Sequence, residues 1–239
     1  MARKRTRSRT KTPRSKGSPF EKRRKPRVDL RLAYGSITEV DARAVVLGLF
    51  QGVQDLSRAA RAIDQRLNGA ITELSQRRMF LGKVGEIFIL PAARHDLRAD
   101  LVICAGLGRF DRFEPAVLET VAENVARTLM RAKVADFAMV LFGATRGNLY
   151  GGLAHLVDGF FRGVHGSRER NPLRSITVCE TDRKRCEKIE TALAKLYRTR
   201  RSRQAEVTLG AQAVRNQAGR GSGSTPGRDR AEEGREGSE

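Results

Sequence analysis

Between Phe137 and Val164 the chain reads FAMVLFGATRGNLYGGLAHLVDGFFRGV, and this stretch narrows the choice of fold more than any other. An apolar run from Phe137 to Phe142 reads as a buried strand. It enters a loop holding Gly143, Gly147, Gly151 and Gly152. Leu153, Leu156, Val157, Phe160, Phe161 and Val164 then recur at helical spacing and give the next segment one apolar face. A strand that passes through glycines into an amphipathic helix belongs to a sheet covered by helices. Such a turn aims backbone N–H groups and a helix N-terminus at one point, which suits an anion such as a diphosphate. Glycines there serve equally well for positive φ and close packing, and the sequence leaves both uses open.

The same alternation fills residues 28–198. Val28, Leu30 and Leu32 alternate with polar neighbours as a strand, and Tyr34 to Thr38 is a loop. Ala44 to Phe50 reads as a buried strand, and Ser57 as the N-cap of a helix from Arg58 to Leu67, resumed at Ala70. Gly82 to Glu86 opens a strand that Pro91 stops. Asp100 to Ala105 is another strand, closed by Gly106-Leu107-Gly108. A helix follows Glu114-Pro115, with Val117, Val121, Val125, Leu129 and Met130 as its stripe. Ser175 to Cys179 is a last strand. Thr181 or Asp182 caps a final helix ending near Arg198. The fold class expected is α/β: three layers, with a mixed sheet flanked by helices and irregular polar termini.

Charge is concentrated outside this core. Residues 1–27 hold thirteen Lys or Arg against one acid, Glu21, which is more than half of the chain's formal net charge of +20. Apart from Phe20 the arm has no large apolar side chain to offset ordering entropy, so it is expected to be disordered. Such an arm attaches to polyanions by counterion release without reading sequence. Arg3, Lys4, Arg5, Arg7, Arg9, Lys22, Arg23, Arg24 and Lys25 are its candidate nucleic-acid contacts. Residues 199–239, polar and glycine-rich, read as a second disordered tail. No apolar run reaches the roughly 20 residues that span a bilayer, and the basic start lacks the apolar segment of a secretory signal. A cytoplasmic location is expected. Three cysteines (Cys104, Cys179, Cys186) form no pairing framework, and three histidines make a zinc site improbable, so neither metal nor cofactor is expected.

Five features in order resemble the N-terminal domain of the leucyl aminopeptidases of the M17 class. They are Asp41 to Val46, Ile63-Asp64 to Ile71, Gly82-Lys83-Val84-Gly85-Glu86, Ala105 to Gly108, and Glu114 to Leu118. The catalytic chemistry of that family resides in a second, C-terminal domain, whose metal-binding runs of the kind NTDAEGR have no counterpart here. The resemblance therefore implies a free-standing copy of a non-catalytic domain. It also implies kinship with macro domains, which bind ADP-ribose. Gly35-Ser36-Ile37-Thr38 is similar to their GDIT turn, with Ser36 in place of the acid that accepts from adenine. Gly147-Asn148-Leu149-Tyr150-Gly151-Gly152 is similar to their diphosphate loop. Gly35, Ser36, Ile37 and Gly147 to Gly152 are accordingly the candidate residues for a phosphate-bearing ligand. No catalytic residue is assigned. Cys104 with His155, Asp158, His165 and Glu232-Glu233 were each weighed, and buried or solvated roles fit them better.

The function expected is a non-catalytic binding, regulatory or scaffolding module, attached to polyanions by its arm. Its partners would be another protein or a second copy, with non-specific nucleic acid at residues 1–27 and no membrane. The alternatives are a macro-like receptor for a nucleotide or ADP-ribose-type ligand, and a component of an aminopeptidase system.

Overall fold

The computed structural model describes residues 28–52, 56–142, 149–166, 172–201 and 213–215. The basic arm, residues 1–27, lies outside them. Among the described residues, seven strands and five α-helices make three layers. The strands are β1 (Asp29–Tyr34), β2 (Ala44–Gln51), β3 (Ile87–Pro91), β4 (Leu101–Arg109), β5 (Asp136–Val140), β6 (Ser175–Glu180) and β7 (Ala213–Arg215). The helices are α1 (Arg58–Arg66), α2 (Ala70–Gln76), α3 (Val117–Arg131), α4 (Leu149–His165) and α5 (Arg183–Arg201). The sheet order is β3-β4-β2-β5-β6-β1-β7, parallel throughout except for β3, which runs antiparallel to β4.

Strand alternation divides the core in two. Ala44 and Val46 of β2, Ile103 and Ala105 of β4, and Phe137 and Met139 of β5 point to one face, which α3, α4 and α5 cover. Val45, Leu47, Leu49, Val102, Cys104 and Ala138 point to the other, under α1 and α2. Burial on both faces is why the central strands read as unbroken apolar runs.

The glycine-marked features turn out to be packing devices. Gly82 to Glu86 is a tight turn rather than the start of a strand, and β4 continues through Gly106-Leu107-Gly108 instead of stopping there. The two segments lock together. Gly85 N–H donates to the Gly106 carbonyl (3.0 Å), Gly106 N–H to Glu86 (2.8 Å) and Gly108 N–H to Gly82 (2.8 Å). A Cβ on Gly106 would collide with the carbonyl oxygen of Lys83. The Glu86 carboxylate accepts from the N–H groups of Leu81 and Lys83, and Asn124 of α3 donates to the Gly85 carbonyl (2.9 Å). Asp64 plays a similar part between α1 and α2. Its buried carboxylate accepts from Ile71 N–H (2.7 Å), Thr72 N–H (3.2 Å) and the Thr72 hydroxyl, while Gly69 turns the chain at φ 82°.

The glycine loop after β5 is shorter than the sequence indicates, because Leu149, Tyr150, Gly151 and Gly152 already form the first turn of α4. The glycines of this helix face α3. A Cβ on Gly159 would meet the Glu119 carbonyl and Ala122, and one on Gly163 would meet Ala126 and the Glu123 carbonyl. Small residues on both helices let the backbones approach. Arg162 then ties the seam from outside, to Glu119 (3.0 Å) and Glu123 (3.3 Å).

At the C-terminus, α5 runs to Arg201, beyond its expected end at Arg198. Lys and Arg are good helix formers and suit a helix C-terminus, so the basic composition that reads as tail also extends a helix. Asp182, not Thr181, caps its start, accepting from Arg185 N–H (2.7 Å). Ala213–Arg215 pairs with Leu32–Tyr34 at the sheet edge, three residues too short to announce themselves in sequence. Among the described residues no helix is long and apolar enough to cross a membrane.

Candidate binding cleft

Parallel strands β1, β2, β5 and β6 end on the same side of the sheet, and a cleft of about 1230 Å³ opens there. Open α/β sheets receive ligands at this place, outside the carboxyl ends of their strands. Gly35, Ser36 and Ile37 follow β1 into its wall. Gly48 to Gly52 come from β2, Ser57 and Arg58 from the start of α1, Leu141 and Phe142 from β5, and Glu180, Thr181 and Arg185 from the β6–α5 turn. Thr72, Ser75, Arg78 and Phe80 form the opposite rim.

Its electrostatics are one-sided. Glu180 is the one carboxylate among the described lining residues, and it is already engaged. One oxygen accepts from Thr181 N–H (2.8 Å) and Asp182 N–H (3.0 Å), and the other lies 3.1 Å from Arg185 Nε. Arg58 and Arg78 line the cleft exposed, with no ion pair among the described residues. Arg78 also holds a left-handed backbone, φ 55°, which turns the chain at this rim. Among the described residues the cleft thus presents two arginines without a counter-charge, hydroxyls and apolar side chains, a lining suited to an anionic ligand with an apolar part.

The expected site residues divide three ways. Gly35, Ser36 and Ile37 line the cleft. Gly35 holds φ 152°, a value that favours glycine, and its N–H donates to the Glu180 carbonyl (2.9 Å). The Ser36 hydroxyl accepts from Thr38 N–H (3.3 Å), capping the 3-10 turn Ile37–Glu39, and lies 2.8 Å from Thr38 Oγ1. Gly147 and Asn148 lie outside the described residues. Leu149, Tyr150, Gly151 and Gly152 are not on the cleft wall. Leu149 and Tyr150 pack against the core on the α3–α5 face, Lys195 Nζ sits 4.9 Å from the Tyr150 ring centroid, and Gly152 faces Leu118.

The sequence reading passed over Arg58, Arg78, Glu180 and Arg185. A signal was there for two of them. Helix dipoles favour acids in the first turn, yet neither α1 nor α5 begins with one, and both begin with arginine. Basic residues at two helix starts that follow parallel strands mark cationic cleft walls. Arg78 and Glu180 carried no comparable signal.

Nucleophilic chemistry finds no support in the thiols. Cys104 is fully buried, and burial, helped by the Asp64 charge, pushes its pKa up to about 12. Burial, reinforced by Glu180, does the same to Cys179. Thiolate is the reactive form, so these groups are inert near neutral pH. His155 lies on α4, its Nδ1 3.5 Å from Glu119, whereas Cys104 faces α1 and α2 across the sheet. The two cannot form a dyad. No cluster of three or more His, Cys, Asp or Glu suited to a metal occurs among the described residues.

This three-layer architecture, with its cleft at the strand ends, is that of macrodomains. The structure superimposes on an Oceanobacillus iheyensis macrodomain mutant with a TM-score of 0.56, at 13% identity over 70% of this chain and 92% of that one. A Trypanosoma brucei macrodomain in complex with ADP gives 0.55, at 12% identity over 69% of each chain. A tomato leucine aminopeptidase mutant gives 0.55, at 14% identity over 71% of this chain and 36% of that one. At such identities the likeness is one of fold. Sequence goes further, because the N-terminal domain of the cytosol aminopeptidase family matches residues 46–167, just over half of the chain. The chain belongs to that family. Among curated relatives, the probable cytosol aminopeptidase of Alkaliphilus oremlandii is 28% identical over 111 residues, 46% of this chain and 22% of that protein. The corresponding protein of Gloeothece citriformis is 25% identical over 114 residues, 48% of this chain and 23% of that protein. The chain spans about a fifth of the length of the curated relatives it matches.

Proposed function

We propose that this chain is a non-catalytic binding module of the cytoplasm, whose cleft receives a phosphate-bearing small molecule and whose basic arm attaches it to polyanions. The observation that carries the first part is the pair Arg58 and Arg78, exposed and unneutralised on the wall of a large cleft at the strand ends. The complex of the Trypanosoma brucei macrodomain with ADP supports the class of ligand. Ser36 stands where macro domains carry an acid, and its hydroxyl is already engaged with Thr38, so adenine loses its reader while Arg58 and Arg78 offer cations to phosphates. The cleft should therefore rank ligands by anionic charge more than by base. The match to the N-terminal domain alone and the buried thiols support the non-catalytic reading.

Thermal shift with inorganic pyrophosphate, ATP and ADP-ribose tests this. Ligand at 100 times its Kd adds about 2.7 kcal/mol of stability, so a clear rise in Tm is expected with pyrophosphate and ATP. No shift at millimolar concentration of any of the three would remove the cleft reading. The arm reading predicts nucleic-acid retention that falls steeply with salt and disappears when the lysines and arginines of residues 1–27 are replaced by serine.

A further inference from the structure

We infer that the free edge of β3 is a self-association surface, on which two copies pair antiparallel to make one continuous sheet. Hydrogen-bond parity identifies the available groups. Glu86 and Ala92 bond to Gly106 of β4 and to Asp100 just before it, which fixes the even-numbered residues Phe88 and Leu90 as the ones whose backbone groups face β4. Ile87 and Ile89 therefore direct their N–H and C=O groups outward, where no strand among the described residues covers them.

These groups are self-complementary. Two copies related by a two-fold axis at Phe88 set Ile87 of each opposite Ile89 of the other, and all four outward N–H groups meet outward carbonyls. Pro91, which has no N–H to offer, ends the ladder and fixes its register. The edge is also apolar. Ile87–Pro91 contains no charged residue, Ile89 is 40% exposed, and Val84, just before the strand, is 49% exposed. Val84 lies over Gly108, two residues before Phe110. An uncovered apolar edge strand of this kind is a template for strand pairing.

Charge decides between a second copy and another protein. A chain of net charge +20 should repel its own kind, but most of that charge sits in an arm joined to β1, five strands away from β3. Pairing at β3 leaves the two attachment points roughly 50 Å apart at 4.8 Å per strand. That is many times the Debye length of about 8 Å at physiological salt, so the arms impose little repulsion on this particular contact. The dimer would display one basic arm at each end of its sheet and could bridge two sites on a polyanion. The inference deepens the binding-module reading. It is tested by mass, whereas ligand shifts and nucleic-acid retention test the cleft and the arm, so each can fail alone.

The experiment is sedimentation of the full chain, nuclease-treated, in 0.5 M salt to remove polyanion bridging. The expected mass is twice the 26.5 kDa of one chain. Ile89→Lys, a change at an exposed position, should weaken the dimer at least tenfold with circular dichroism unchanged. Phe88→Cys should form an intermolecular disulfide under mild oxidant, because Phe88 alone faces its own copy. A chain that stays monomeric at 100 µM overturns the inference, and so does a dimer that neither change affects. If Ile89→Lys loses its fold, the presence or absence of the cross-link decides.

Discussion

The interlocked turn beside β4 and the cleft at the strand ends are both rich in glycine, and they use it in opposite ways. At Gly82 to Glu86 and Gly106 to Gly108 the backbone groups named above satisfy one another, and the missing side chains make room for neighbouring backbone. At Gly35 and Gly52 the glycines border the cleft that arginines line, and a Cβ on Gly52 would meet no neighbour, whereas Gly48 between them packs against Phe142. The first region carries the residues of the family resemblance, and its backbone groups are spent on one another. The second has the unneutralised groups and little signature. A family match built on packing residues identifies the fold and leaves the function to be read from the site.

The comparison can be broken in order of effect. Gly106→Ala should cost about 3 kcal/mol or more, since the added Cβ meets backbone that cannot yield, and urea titration should show loss of the cooperative transition. Asp64→Ala removes a buried cap on α2 and should cost about 2–3 kcal/mol, seen as a lower denaturation midpoint with unchanged slope. Arg58→Ala with Arg78→Ala should leave stability within about 0.5 kcal/mol. The same pair should weaken pyrophosphate binding at least tenfold, about 1.4 kcal/mol by calorimetry. If that pair destabilises the fold and spares binding, the contrast between the two regions fails.

The buried thiols sharpen it with a pH dependence. Cys104 and Cys179 have folded pKa values raised to about 12 from an ordinary 9.0. The unfolded chain therefore gives up these protons first. Their contribution to stability is complete below pH 9 and is lost as pH rises from 9 towards 12. Alkylation of the native chain at pH 8 should modify Cys186, which is half-buried, and spare the other two until unfolding.

Much of the fold was legible because its determinants are local or periodic. Apolar runs gave the central strands, the Ser57 cap gave α1, and the spacing of Leu153, Leu156 and Phe160 gave α4. The misreadings share one cause. Gly106-Leu107-Gly108 looked like a stop and Gly151-Gly152 like a loop, because glycine in isolation signals a turn. Each is regular structure, and at Gly106 and Gly108 the missing Cβ is required by a partner distant in sequence, Lys83 for Gly106 and Val84 for Gly108.

The site was half legible for the same reason. Ser36 and its neighbours were found by a local pattern, whereas Arg58, Arg78 and Arg185 come from three separate segments. By itself the sequence determined the alternation of strands and helices, the two-faced burial of the sheet and the segregation of charge into the arm. These depend on which residues are apolar or charged and on their spacing along the chain. Only the tertiary structure decided which glycines are packing and which border a cleft, and which arginines line that cleft without a counter-charge among the described residues. It alone exposed the edge strand. Those properties belong to pairs of segments brought together by the sheet, and a one-dimensional pattern does not contain them.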